Sequence, residues 1–383
     1  MLAQTIAWAE VNSGTGNLAG LARMADLLCD ALSVLPGEVR RIAPAPVEAM
    51  GVDGRLREVA HGDHLLLEVR PAAPLQLLLT GHMDTVYAAD HPFQAVTLRD
   101  DGTLHGPGTA DMKGGLAAMI AALAVVEASP AREAVGYRVL VNSDEETGSF
   151  SSAALLAEAA RGRHFAFTYE PALPDGTLAG ARGGTGNFSI AVRGRAAHAG
   201  RDPHAGRNAL VAAADLALRL NAAAAPDLFV NPARIDGGGP NNIVPDLAVL
   251  RVNFRPADPS AIARASAAID AAAAEVATAH DVRVEVHGGF NRPPKPVDPG
   301  AERLFGHVAA AGTDLGIALA RRATGGVCDG NNIAAAGVPV IDTMGVRGGL
   351  IHSDGEFLIT ESLAERAALS AVTILRLAER GSL

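Results

Sequence analysis

Three short stretches, LQLLLT (75–80), RVLVN (138–142) and HFAFTYE (164–170), are almost continuously apolar, the pattern of strands buried on both faces. Helix-length segments separate them. One follows Gly114 and Gly115; the other is SSAALLAEAARG (151–162), whose leading serines suit a helix start. Strand–helix–strand alternation with apolar strands predicts an α/β fold, with a mostly parallel sheet covered by helices. The pattern then changes. TGNFSIAVRG (185–194) alternates like a half-exposed strand, NALVAAADLALRLNAA (208–223) reads as a helix, and FVNPARI (229–235) and AVLRVNFR (248–255) read as strands. A long helix, SAIARASAAIDAAAAEVATA (260–279), and a strand, DVRVEVH (281–287), complete the order β-α-β-β-α-β of a ferredoxin-like α+β unit. Turn-rich PDGTLAGARGG precedes this unit and GGFNRPPKP follows it. We therefore expect an inserted domain at 181–290 within a larger domain formed by 1–180 and 291–383. The larger domain resumes with a helix at 301–312, the Gly-rich turn TGGVCDGNN, a strand VPVIDTM (338–344) and a closing helix at 360–380.

A length of 383 residues accommodates two such domains. The net charge is −10, with acids and bases interspersed and no basic stripe, which argues against a nucleic-acid partner. The longest apolar run, LAAMIAALAVV from Leu116, falls short of the ~20 residues that span a bilayer. MLAQTIAWAEVNSGTGN lacks the basic start and apolar core of a secretory signal. Cys29 and Cys328 are far apart and read as reduced thiols. Together these features lead us to expect a cytoplasmic protein with neither membrane nor nucleic-acid partners.

Chemistry collects where the apolar runs end. LQLLLT leads into GHMDTV, with His82 and Asp84, and HGPGTADMKGG follows with Asp111. RVLVN leads into Glu145 and Glu146, HFAFTY into Glu170, and a Gly-rich loop after VPVIDTM carries His352. Ligands of open α/β sheets bind at the carboxyl ends of the strands, so these segments would converge. Clustered carboxylates would repel one another and carry a heavy desolvation cost unless a cation neutralised them. Imidazole with carboxylate suits zinc, and cobalt or manganese less exclusively. Five ligands exceed the needs of one open tetrahedral zinc but suit two metals about 3.5–4 Å apart that share a carboxylate. Asp84 reads as the group that orients His82. One of the adjacent glutamates would ligate a metal. The other would take a proton from the attacking water and pass it to the leaving nitrogen.

GHMDTV, GPGTADMKGG, SDEETGS, the strand-terminal TYEP and IHSDGE, in that order, resemble the co-catalytic di-zinc exopeptidase and aminoacylase family over essentially the whole chain. That family includes glutamate carboxypeptidase, acetylornithine deacetylase and succinyl-diaminopimelate desuccinylase. The resemblance implies two zinc ions per subunit, with His82 and Glu170 on one, Glu146 and His352 on the other, and Asp111 bridging. It makes Glu145 the general base and Asp84 the support of His82, and implies a cis peptide at Asp111–Met112. It further implies that the inserted domain is a lid that forms a homodimer. In the lid, GRAAHAG (194–200) would supply His198 as an oxyanion donor reaching a partner subunit's site. NNIVPDLAVLRVNFR would supply Asn242 as a polar contact and Arg255 as a carboxylate clamp. Backbone N–H groups of the turn containing Gly326 would lie near the substrate.

Each residue also has a plainer reading. Asp111 suits a helix cap, Glu145 and Glu146 suit a helix N-terminus, and His198 in a Gly/Ala-rich turn suits a solvated surface. Arg255 at a strand end suits a surface ion pair, and Cys328 a small buried residue. The function the resemblance implies is a hydrolase cleaving an amide or peptide bond beside a free carboxylate, with a glutamate-releasing carboxypeptidase favoured over an N-acyl amino acid deacylase. A catalytically silent amino-acid or peptide binder is the alternative of another class.

Overall fold

The computed structural model describes residues 1–381, which form two compact units: 1–45 with 60–182 and 296–381, and Pro46–Val59 with Gly183–Lys295.

The first unit is built on a six-stranded sheet in the order Val39–Ile42, His64–Val69, Val135–Asn142, Leu75–His82, Phe165–Thr168, Val340–Ile341. The last four of these run parallel to one another; the first two pair antiparallel. Every residue of Leu75–His82 is buried, which is why the run shows no alternation in sequence. Its side chains nonetheless divide by parity. Leu77 and Leu79 pack with the helices Leu18–Leu32, Gly114–Ala128 and Ser362–Arg380, while Leu78 packs with Leu156 of Ala153–Ala160 and Ile333 of Asp329–Ala335. Thr109–Ala128 is long and apolar enough to cross a membrane by length and composition, but 83% of its apolar window is buried inside the fold. A second, parallel pair, Leu178–Arg182 with Arg321–Thr324, was not anticipated from sequence and forms one wall of the cleft described below.

The second unit is an antiparallel four-stranded sheet in the order Leu228–Gly237, Leu247–Pro256, Thr185–Arg193, Arg283–Arg292. Helices Ala209–Ala222 and Pro259–His280 pack on it through Leu216, Leu220, Ile269 and Val276. Asn208 caps the first helix by accepting from the Leu210 and Val211 N–H groups, and Asp258 caps the second ahead of Pro259. This is the ferredoxin-like order read from the sequence. The second unit runs from Gly183 to Lys295 where the sequence suggested 181–290, and the hairpin Glu48–Met50/Leu56–Glu58 packs with it, Met50 meeting Ala191 and Val249. A short polar hairpin that buries a single side chain leaves no periodic signal.

Candidate metal centre

His82 ends the central strand, Glu146 follows the neighbouring strand Val135–Asn142, and Glu170 follows Phe165–Thr168. Parallel register places these three strand ends side by side. Asp111 and His352 arrive on loops. The Asp111 carboxylate lies between the two histidines: Oδ1 is 3.1 Å from His82 Nε2 and Oδ2 is 3.2 Å from His352 Nε2. His352 Nε2 is also 3.2 Å from Glu146 Oε2, and His82 Nε2 is 3.9 Å from Glu170 Oε2. The Asp111–Met112 peptide is cis, as the sequence resemblance implies.

The outer contacts of His82 set its tautomer. Its Nδ1 donates to the Asp84 carbonyl oxygen at 2.9 Å, so in the neutral ring Nε2 is the nitrogen whose lone pair faces the cluster. The Asp84 carboxylate is 3.4 Å from Nδ1 and spends its acceptors elsewhere. Oδ1 accepts from the Glu145 N–H at 3.2 Å, and Oδ2 accepts from the Glu146 N–H at 3.2 Å and the Thr15 hydroxyl at 2.7 Å. Asp84 thus orients His82 through its backbone and the glutamate pair through its side chain.

Glu145 and Glu146 are adjacent but belong to different groupings. Glu145 gathers with His82 and Glu170, Glu146 with His82 and Asp111, each set offering ligand atoms within 4.8 Å of one another.

The electrostatics fit a cationic occupant. Burial pushes the Glu170 carboxyl well above the ordinary carboxylate range, and the charges of Asp111 and Glu145 push it further. Burial and Asp111 likewise raise Glu146. Hydrogen bonds to Asp111 and Glu146 lift His352 to about 11, and burial of His82 is outweighed by its carboxylate neighbours, so its pKa also rises. Each of these shifts is in the direction expected where carboxylates crowd together without a cation between them. Glu170 Oε1 is buried and finds no hydrogen-bond partner among the described residues, an acceptor suited to a metal ion. Histidine nitrogen with carboxylate oxygen is a donor set for zinc, cobalt or manganese.

A cleft of about 270 Å³ opens over the cluster, bounded by Glu145, Glu170, Arg182, Gly326, Cys328 and His352 among others. Gly326 lines it, but its carbonyl accepts from Arg182 Nη1 at 3.0 Å and its N–H leans toward Thr324 Oγ1 at 3.3 Å. Cys328 is buried and caps the helix Asp329–Ala335 by accepting from the Gly330 N–H, in keeping with its plain structural reading. His198, Asn242 and Arg255 belong to the second unit, whereas the whole cluster lies in the first. His198 is exposed, and its Nδ1 accepts from the Gly200 and Arg201 N–H groups. The Ala199 N–H donates to the Asn242 carbonyl, which brings His198 and Asn242 into one small two-stranded patch. Arg255 donates to Asn253 Oδ1 at 2.7 Å.

Two side chains near the cluster had no role assigned from sequence. Arg182 lines the cleft and is held by Asp342 through bonds of 2.7 and 3.2 Å. Glu356, in the IHSDGE segment already singled out for His352, accepts from the backbone around Asp111.

The chain is 31% identical over 376 residues to carboxypeptidase G2 of Pseudomonas sp. (strain RS-16), which covers 96% of this chain and 86% of that protein. It is 27% identical over 308 residues to succinyl-diaminopimelate desuccinylase of Stutzerimonas stutzeri (strain A1501), covering 75% and 78% of the two chains. Its fold is similar to the crystal structure of a Bacillus subtilis protein described as a dinuclear metal-binding peptidase of the M20 family, with a TM-score of 0.66 at 15% identity over 99% of this chain and 97% of that one. Residues 78–376 match the model of peptidase family M20/M25/M40. With that match and a cluster of histidines and carboxylates at the strand ends, the chain belongs to peptidase family M20/M25/M40 and is a metal-dependent peptidase of it.

Proposed function

We propose that this enzyme hydrolyses the amide or peptide bond beside a free carboxylate, releasing a carboxyl-terminal glutamate. The observation that carries the reading is the placement of Asp111 between His82 and His352, in a chain that is 31% identical to a carboxypeptidase along nearly its full length. In this reading His82 and Glu170 hold one zinc ion, Glu146 and His352 a second, and Asp111 serves both; cobalt or manganese suits the same donors. When bound, such a metal pair polarises a carbonyl and lowers the pKa of water to about 7.

The protein's own groups do the rest. Glu145 faces the cleft, takes the proton of the attacking water on its carboxylate and delivers it to the leaving nitrogen. Asp84 holds the Glu145 and Glu146 N–H groups, so the two carboxylates keep separate directions. His198 donates to the oxyanion from the lid of a second subunit, Asn242 adds a polar contact, and Arg255 grips the substrate carboxylate. Gly326 bounds the substrate on the cleft side. The homodimer in this reading is supported by the second unit itself. Leu228–Gly237 is an edge strand, and Phe229 on it is 62% exposed, as is 71% of Leu218 on the helix Ala209–Ala222.

A second reading, an N-acyl amino acid deacylase, is favoured by the similarity to a desuccinylase. Turnover of glutamate-terminated peptides, N-acetylornithine and N-succinyl-diaminopimelate, with zinc and then cobalt supplied, separates the two. Cleavage of the glutamate-terminated compounds alone supports the carboxypeptidase. Preference for an acylated diamino acid moves the enzyme to the deacylase branch. No turnover of any compound with two metals bound overturns both substrate assignments.

A further inference from the structure

We propose that Glu356 is a positioning residue of the metal centre, one that fixes how Asp111 presents its two oxygens; the proposal rests on reading the cluster as a metal site. A shared carboxylate must face two partners at once, and the aspartate side chain has only two torsions between backbone and carboxylate. Its aim is therefore set by its backbone. The helical bonds of that segment, from the Lys113 N–H to Gly108 and from the Gly114 N–H to Thr109, do not engage the N–H groups of Gly108, Ala110 and Asp111; Gly108 sits at φ 69°, and Asp111 and Met112 depart from helical angles. Buried N–H groups in such a segment need acceptors from elsewhere.

Glu356 supplies them. Its Oε1 accepts from the Ala110 and Asp111 N–H groups, each at 3.0 Å, and its Oε2 accepts from the Gly108 N–H at 3.1 Å. Three amides of the loop thus converge on one carboxylate, which has enough lone-pair sites for all of them. Glu356 is 1% exposed, so water does not replace it. Tyr87 completes the arrangement, its hydroxyl lying 2.8 Å from Glu356 Oε2 and 2.9 Å from the Ser353 carbonyl. The Gly106 N–H also donates to the Glu356 carbonyl at 3.2 Å. Ser353 follows His352 directly, so one junction ties the loop bearing Asp111 to the loop bearing His352. These two loops are far apart in sequence, yet their side chains meet at 3.2 Å.

Glu356→Gln keeps the shape but replaces one acceptor by a donor, so either the Gly108 amide or the Ala110–Asp111 pair loses its partner. Metal-free wild-type and variant proteins are titrated with zinc against a chromophoric chelator, and their thermal unfolding is compared without metal. The proposal expects zinc affinity to fall roughly 10- to 100-fold, as with other groups that orient metal ligands. It also expects the metal-free melting temperature to fall by only the few degrees that one stranded amide implies, and excess zinc to recover turnover. Zinc affinity within about twofold of wild type in folded Glu356→Gln overturns it. Should that variant not fold, Tyr87→Phe decides: weaker zinc binding supports the junction, unchanged binding overturns it. A wild-type protein that binds no zinc, cobalt or manganese would instead remove the metal-centre reading beneath it.

Discussion

The side chain of Asp84 offers the sharpest test of how the site is held. It is fully buried, and its carboxylate accepts from the Glu145 N–H, the Glu146 N–H and the Thr15 hydroxyl. Asp84→Asn preserves the shape and changes one oxygen into an amide donor. If the amide nitrogen faces Thr15, that hydroxyl reverses and accepts, but the Glu146 N–H meets a donor. If it faces the other way, the Glu145 N–H is the one stranded. In either orientation one buried amide loses its acceptor, at about 1–3 kcal/mol, and the remaining bonds lose the charge that made them worth ~1.5–3 kcal/mol each. A net loss of about 2–4 kcal/mol follows, spent where the general base and a metal ligand are aimed. Expressed in the transition state, this is a decrease of roughly 30- to 1,000-fold in kcat/KM, at 1.36 kcal/mol per tenfold. The assay is steady-state hydrolysis of the substrate identified by the panel, at saturating zinc, with metal content measured on the same samples. Thr15→Val, which removes one of the three donors and strands no amide, is expected to cost only several-fold. A folded Asp84→Asn enzyme with full metal content and kcat/KM within threefold of wild type would refute the reasoning.

Three further outcomes follow from the same geometry. Glu145→Gln is expected to abolish turnover while zinc content stays at the wild-type level; retained turnover in that variant removes Glu145 from the role of base. Asp342→Ala leaves the guanidinium of Arg182 buried without its carboxylate, and removal of one partner of a buried pair costs about 3–5 kcal/mol, so a drop of that size in urea-unfolding free energy is expected. Burial lowers the pKa of His64 below its ordinary 6.5 despite the opposing charge of Asp144. The unfolded chain then binds more protons than the folded one just below pH 6.5, so the stability associated with a neutral His64 is complete above that pH and is lost as pH falls. His64→Gln should flatten the acid side of the stability profile measured by urea unfolding between pH 7.5 and 5; an unchanged slope counts against it.

What the sequence disclosed follows from how local each feature is. His82, Glu146 and Glu170 stand at or just past strand ends, and a strand's end is legible because an apolar run stops. Their convergence required only that the strands be parallel neighbours, which the alternation of strands and helices implied. Asp84 was legible as a neighbour of His82 but not in its full use. The spacing suggested a carboxylate beside the imidazole; in the structure the Asp84 carbonyl takes the Nδ1–H at 2.9 Å, while the carboxylate, 3.4 Å from the same nitrogen, also serves the Glu145 and Glu146 amides. The parallel pair Leu178–Arg182 and Arg321–Thr324 was hidden because each strand is short and joins segments on either side of the inserted unit.

Glu356 shows the limit most clearly. It belongs to the same short segment as His352, yet nothing in IHSDGE distinguishes a glutamate that accepts three backbone amides from one that faces solvent. Apart from the Tyr87 hydroxyl, its carboxylate's partners are backbone amides, which nearly every residue carries alike, so most of the information lies in where the chain places them and not in which side chains it has. Residues that bind a metal directly must be histidine or carboxylate and therefore mark the sequence. Residues that aim those ligands through the backbone leave no such mark, although the geometry of Asp111 between two histidines depends on them as much as on the ligands themselves.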